Sequence, residues 1–178
     1  MLAFQNPSPF FDPMNELDLY RANVERLAEL ESKEVFSNSR AEHAAVIFET
    51  FFKKAKQSVV LFCENLSEKV FNLPSVLSFA ESALRRGTRL TVLVQKTPQA
   101  TTFLESVKRW QKDELPITIQ VSKPGSEAST ASANFAVMDR KAYRFEPNRG
   151  EPAAFACMND VASADRLLGL FSRLERTA

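Results

Sequence analysis

The chain has 178 residues, of which 44% are hydrophobic and 25% charged, and its formal net charge at pH 7 is +1. This length is enough for one domain with a full core, and the near-neutral charge gives no global basis for binding nucleic acid or a membrane, so any basic surface must be local. No apolar run approaches the roughly 18 residues of a membrane span, and the N-terminus has no secretory pattern. We therefore expect a cytoplasmic protein without a membrane partner.

The first 38 residues are predicted to form an N-terminal extension. Residues 1–13 contain three prolines and several phenylalanines, which is typical of an extended arm. A charged helix is expected from Asn15 to about Lys33, with a narrow apolar stripe at seam-like spacing. The stripe has two interpretations: it packs on its own domain, or it is an interaction surface for a second copy or a partner protein. It consists of Leu17, Tyr20, Val24 and Leu27.

The rest of the chain alternates helices and strands. Helices are predicted at 40–56, Pro74–Gly87, 99–112 and 161–175, and strands at Ser58–Cys63, Leu90–Val94, Ile117–Val121, 133–139, 141–146 and 153–158. Helix–strand alternation with short turns favours parallel pairing of the first three strands, whereas the last strands are expected to add antiparallel. Residues 122–132 are rich in serine and alanine and are predicted to form a loop. The fold class is therefore α/β, with a mixed β-sheet flanked by helices.

The stretch Ser132-Ala-Asn134-Phe-Ala-Val-Met-Asp139 resembles the histidine-x-lysine-x4-aspartate motif of phospholipase D-like proteins. Ser132 stands where that motif has histidine, Asn134 where it has lysine, and Asp139 is kept; we call these three positions the remnant motif. The order of elements and the tail AAFACMND…ADRLLGLFSRL are similar to one half of a phospholipase D-like domain. The family's Gly-Ser turn is absent, and Tyr143–Gly150 occupies that region.

This resemblance implies a domain at 39–178 that has lost its hydrolytic activity. In the family the imidazole forms a covalent phosphoryl intermediate and the lysine neutralises phosphate charge, and neither a hydroxyl without an adjacent base nor an amide replaces them. Single-motif members pair to assemble one active centre, which implies a homodimer. Degenerate members also occur in bacterial multi-protein systems, including phage defence, which implies an accessory subunit that binds a protein encoded in the same operon.

A binding groove is expected at the carboxyl ends of the parallel strands, where open α/β sheets place their ligands. Such a groove can keep phosphate or nucleic-acid binding after hydrolysis is lost, because phosphate contacts need only donors and positive charge. The alternative is that the basic residues are solvated turn residues. The candidates are Lys96, Lys123, Arg140, Lys141, Arg144 and Arg149.

No cofactor or metal is expected. Cys63 and Cys157 are predicted to be reduced, buried thiols, and two cysteines with one histidine do not make a zinc pattern. Three functions follow in order of preference. The first is a non-catalytic interaction module, the second a nucleic-acid or phosphate-binding domain, and the third a residual phosphodiesterase or nuclease.

Overall fold

The structure, a computed structural model, describes residues 15–149 and 153–178, so the predicted arm at 1–13 lies outside the described residues. A seven-stranded sheet has helices on both faces, and its strand order is β1-β7-β6-β5-β2-β3-β4. The strands are β1 (Phe36–Asn38), β2 (Ser58–Cys63), β3 (Arg89–Val94), β4 (Ile117–Val121), β5 (Asn134–Met138), β6 (Ala142–Glu146) and β7 (Ala154–Cys157). The helices are α1 (Glu16–Glu29), α2 (Ala41–Lys54), α3 (Glu68–Phe71), α4 (Pro74–Arg85), α5 (Thr101–Lys112), α6 (Glu127–Thr130) and α7 (Val161–Thr177).

The sheet is mixed, as the sequence predicts. Strands β2, β3 and β4 are parallel. Strand β5 returns antiparallel beside β2, and β6, β7 and β1 continue the antiparallel half. The antiparallel direction of β5 matters for the site, because it places the start of β5 beside the carboxyl ends of the parallel strands.

Three short elements were not predicted. Strand β1 has three residues, and α3 and α6 have four each, which is too short for a periodic pattern. Strand β1 exists because β7 supplies its hydrogen-bonding partner. Helix α6 lies in the predicted loop at 122–132 and begins at Ser126, whose side chain accepts a hydrogen bond from the Ser129 amide.

Each face of the sheet has its own apolar core. On one face α1 to α5 cover β2, β3 and β5, and buried residues of α2 such as Ile47 and Phe51 point into this core. Phe71, Phe103 and Trp110 join it through edge-to-face ring contacts with centroids 5.4 and 5.7 Å apart. On the other face α6 and α7 cover β5 and β6.

The apolar stripe of α1 packs inside the chain. Val24 and Leu27 are fully buried in the first core, and Leu17 and Tyr20 pack against it. The prediction that this stripe is an interaction surface is therefore wrong, because the stripe is covered by the chain's own core. The division at residue 38 is not seen either, since α1 shares this core and β1 belongs to the sheet. Among the residues that the structure describes, no helix is both long and apolar enough to cross a bilayer.

Candidate functional site

A groove of about 270 Å³ opens at the carboxyl end of β2. It lies between β2, β5 and β6 on one side and α2 and α3 on the other. Its floor is apolar and includes Phe48, Leu61 and Phe71. Its wall is polar and is formed by Arg40, Glu64, Asn65, Ser67, Asn134, Arg144 and Glu146. This is the place where the sequence predicted a groove.

Asn134, the position of the family's lysine, lies in the groove wall with both ends of its amide bonded. The Glu64 backbone amide donates to Asn134 Oδ1 at 2.7 Å, and Asn134 Nδ2 donates to Glu146 Oε1 at 2.7 Å. Ser132, two residues earlier, is exposed, and its carbonyl accepts a hydrogen bond from the Arg149 amide at 2.7 Å. Neither Ser132 nor Asn134 carries a positive charge, so the neutral Asn134 amide takes no part in charge neutralisation at the groove.

Asp139 lies at the opposite end of β5, away from the groove. Its carboxylate accepts hydrogen bonds from the backbone amides of Lys56, Gln57 and Ser58 at 2.9, 2.8 and 2.9 Å. Asp139 and Arg140 form the tight β5–β6 turn, with φ angles of +49° and +57°. Asp139 therefore ties the β5–β6 turn to the connection between α2 and β2. None of these hydrogen bonds reaches a residue that lines the groove.

Arg144 is the buried cation of the groove, with a side chain only 9% exposed. Its Nη1 and Nη2 both donate to Glu146 Oε2 at 3.2 Å, and Nε donates to Asn38 Oδ1 at 3.3 Å. The guanidinium also lies 5.9 Å from the centre of the Phe48 ring. Burial lowers the pKa of Arg144 and the Glu146 carboxylate raises it, and the group stays charged because an arginine pKa begins far above neutral pH.

Lys96 and Lys123 are exposed and lie at the same end of the sheet as the groove, although neither lines it. The parallel register of β3 and β4 places Lys96 and Lys123 just past neighbouring strand ends, and Ser122 Oγ donates to the Gln95 carbonyl at 3.2 Å. Lys96 also forms an ion pair with Glu64 at 2.5 Å. Arg149 lies at the same end of the sheet, where its Nη1 donates to Gln95 Oε1 at 2.9 Å.

The other two basic candidates, Arg140 and Lys141, lie in the β5–β6 turn, at the end of the sheet opposite the groove. Arg140 pairs with Asp165 at 2.7 Å, and Lys141 pairs with Glu31 at 2.6 Å. The prediction that six basic residues share one groove is therefore wrong for these two. The reason is the direction of β5: its last residue is beside the start of β2, so the following turn cannot reach the groove.

Sequence reasoning missed the acidic and amide partners of the groove. Glu146 could have been found, because residues two apart on a strand share a face and Arg144 precedes it by two. Asn38 had no such signal, since it reaches Arg144 only through the pairing of β1 with β7. Asn38 Nδ2 and the Tyr20 hydroxyl are buried without a hydrogen-bond partner, and burial raises the pKa of Tyr20 to about 12.

The thiols behave as small apolar side chains. Cys63 and Cys157 are both free and buried, as predicted. Burial raises the pKa of Cys63, which lines the groove, so its thiol stays protonated at neutral pH. In the described ranges no three histidine, cysteine or acidic side chains converge as a metal site would require.

Comparisons with known proteins agree on the architecture. The structure aligns with Nuc, a phospholipase D family member from Salmonella typhimurium, at a TM-score of 0.54 and 13% identity over 81% of this chain and 95% of Nuc. NucT from Helicobacter pylori aligns at a TM-score of 0.54 and 10% identity over 81% of this chain and 98% of NucT. The chain has the phospholipase D fold. At such low identity the likeness concerns the fold alone, and the sequence matches no protein-family profile and no curated protein.

A third similar structure is TrmBL2, an archaeal chromatin protein that shows a novel mode of DNA binding. It aligns at a TM-score of 0.60 and 12% identity, over 89% of this chain and 61% of TrmBL2. This chain therefore spans less than two thirds of the chromatin protein, whereas it matches almost the full length of Nuc and NucT.

Proposed function

We propose that the chain is a non-catalytic interaction module built on the phospholipase D fold. The observation that carries the proposal is the bonding of Asn134, whose amide is held by the Glu64 backbone and the Glu146 carboxylate. A neutral amide bonded to a carboxylate cannot neutralise a substrate phosphate. Ser132 also has no histidine to act as its base, since His43, the only histidine of the sequence, stacks on the Tyr20 ring of α1 with centroids 4.0 Å apart.

The first prediction is that the purified chain is catalytically silent. We expect no turnover of bis-p-nitrophenyl phosphate or of DNA, with or without divalent metal, because both groups that the family's chemistry needs are replaced. Turnover that co-purifies with the chain and is lost in Ser132→Ala would contradict the proposal and support a residual phosphodiesterase. Ser132 is exposed, so this variant should fold. Asp139→Ala is a poor probe, because that side chain holds three backbone amides.

We extend the proposal to partners. Single-motif members of the resembled family pair, and degenerate members work in bacterial multi-protein systems, so the chain is proposed to form a homodimer and to act as an accessory subunit, with phage defence as one setting. The test is co-expression with the products of the neighbouring genes. Co-elution with one of them at fixed stoichiometry is the expected result, and elution of the chain alone in every combination contradicts the accessory role.

Nucleic-acid binding is the second candidate function, and two exposed lysines at the same end of the sheet as the groove favour it. Lys96 and Lys123 are exposed just past adjacent strand ends, where each can contact a backbone phosphate. TrmBL2, which has a similar fold, binds DNA. Arg144 does not contribute to this surface, because its guanidinium is buried against Glu146.

The second prediction separates this candidate from non-specific attraction. Lys96→Ala with Lys123→Ala should weaken DNA binding, and the slope of affinity against salt concentration should fall by about 2, because two phosphate contacts are lost. The matched control, Arg140→Ala with Lys141→Ala, removes the same charge at the end of the sheet opposite the groove and should leave DNA binding unchanged. Equal losses of DNA affinity in both double variants, or no DNA binding at low salt, would contradict this second candidate and leave the interaction module as the proposed function.

A further inference from the structure

In the groove, hydrogen-bond donors from two side chains converge on a carboxylate of the chain itself, that of Glu146. Arg144 Nη1, Arg144 Nη2 and Asn134 Nδ2 all donate to Glu146, at 3.2, 3.2 and 2.7 Å. These donors come from two neighbouring strands and converge on two oxygens of one group. From this arrangement we propose that Glu146 is a built-in anion, which fills an oxyanion site in the groove and keeps external phosphate out.

The donor set suits a phosphate as well as a carboxylate. A planar guanidinium binds either group through two parallel hydrogen bonds, and an amide adds a third. Arg144 is held in place independently of Glu146, because Asn38 accepts from its Nε and the Phe48 ring lies against it. The cation would therefore keep its position if the carboxylate were removed.

The site is open to a ligand from solvent. Asn134, Arg144 and Glu146 all line the groove of about 270 Å³, and Asn65 and Ser67 add polar groups on the facing wall. The Glu146 side chain is 15% exposed and that of Arg144 9%, so the carboxylate is the more accessible partner of this ion pair. Removing the carboxylate leaves a positive, water-accessible recess lined by donors.

The position of Glu146 in the chain fits this role. It lies in Tyr143–Gly150, the segment that stands where the resembled family has its Gly-Ser turn. A buried guanidinium without a partner is strongly destabilising, so a chain without a phosphate ligand needs an internal counter-charge. Glu146 supplies that charge. The inference goes beyond the proposed function, which requires only that the groove lacks catalysis.

The experiment is calorimetric titration with inorganic phosphate against chloride at matched ionic strength. The wild-type chain should show no saturable binding. Glu146→Ala should gain binding at least about tenfold tighter than any wild-type signal, which is the value of one hydrogen bond to a charged group. Glu146→Gln should bind more weakly than Glu146→Ala, because it removes the charge but keeps the bulk.

Two controls identify the site. Glu31→Ala removes the same charge at the end of the sheet opposite the groove, where Glu31 pairs with Lys141, and should gain no phosphate binding. Arg144→Met with Glu146→Ala replaces the ion pair by apolar groups, which buried pairs tolerate, and should lose the binding that Glu146→Ala gains.

The inference is overturned if wild type binds phosphate as well as Glu146→Ala does, or if Glu31→Ala gains the same binding. Should Glu146→Ala unfold in chloride, phosphate must restore its cooperative thermal transition, and failure to do so also overturns the inference. None of these outcomes changes the hydrolysis assay, so the failure of this inference can be told from the failure of catalytic silence.

Discussion

At the scale of single residues, Asp139 anchors the backbone at the end of the sheet opposite the groove. Its carboxylate accepts from three consecutive amides at the start of β2, and its own amide donates to the Ser58 carbonyl at 2.9 Å. These bonds hold the β5–β6 turn against the α2–β2 connection.

The third prediction follows from those bonds. Asp139→Ala should lower the free energy of unfolding by about 2 kcal/mol, because hydrogen bonds to a charged group are lost and the amides return partly to water. Asp165→Ala is the control: it breaks only an exposed ion pair with Arg140 in the same turn, and should cost less than about 1 kcal/mol. Urea denaturation measures both, and equal losses would contradict the anchoring role.

At the scale of elements, α1 shows why a narrow stripe does not indicate a free surface. The helix lies along α2, and its polar residues make ion pairs across the contact: Arg21 with Glu49, and Glu25 with Lys53 at 2.9 Å. A stripe of four apolar residues is wide enough here because α2 is itself buried on nearly all sides. Helix α1 therefore completes the first core.

The fourth prediction tests this packing. Leu27 is fully buried, so Leu27→Ala should cost about 2–5 kcal/mol in the free energy of unfolding through lost burial and the cavity that remains. Leu19, on the exposed side of the same helix, is the control, and Leu19→Ala should change stability by less than about 0.5 kcal/mol. Similar small effects at both positions, measured by urea denaturation, would show that α1 is not part of the core.

At the scale of the whole molecule, the described residues leave one apolar patch uncovered. Val35, Phe155 and Val161 are each about half exposed, on the face of the sheet opposite α1 and α2. Helix α7 packs mainly on β5 and β6, and Phe155 of β7 is 47% exposed. The patch also includes Tyr143, Phe145 and Leu167, which line a shallow cavity. The expected homodimer would bury this surface in place of the α1 stripe.

The fifth prediction concerns that dimer. Light scattering should report a mass near twice 20.0 kDa, and Phe155→Asp should shift it toward the monomer because a charge in the interface opposes burial. Val121→Asp places the same charge on the exposed edge strand β4 and should leave the dimer intact. A monomer at high micromolar concentration would contradict the prediction.

Much of the fold could be predicted because its elements carry local patterns. Short apolar runs identify β2 and β3, and alternation of apolar and polar residues identifies β4. The spacing of apolar residues in α2 identifies the face that is buried. Strand β1 could not be found, since three residues have no pattern and its pairing partner β7 is more than a hundred residues away. The position of Asn134 in the groove was predictable from the motif, whereas its bonding to Glu146 was not.

The sequence by itself determined the order of the elements, the mixed sheet, and the hydroxyl of Ser132 and the amide of Asn134. These are properties of side-chain chemistry and of spacing along the chain. Only the tertiary structure decided which charges meet. The return of β5 carries Arg140 and Lys141 away from the groove, and the pairing of β6 places Arg144 and Glu146 inside it. The energy of a charge depends on its distance from other charges and on its burial, and folding sets both.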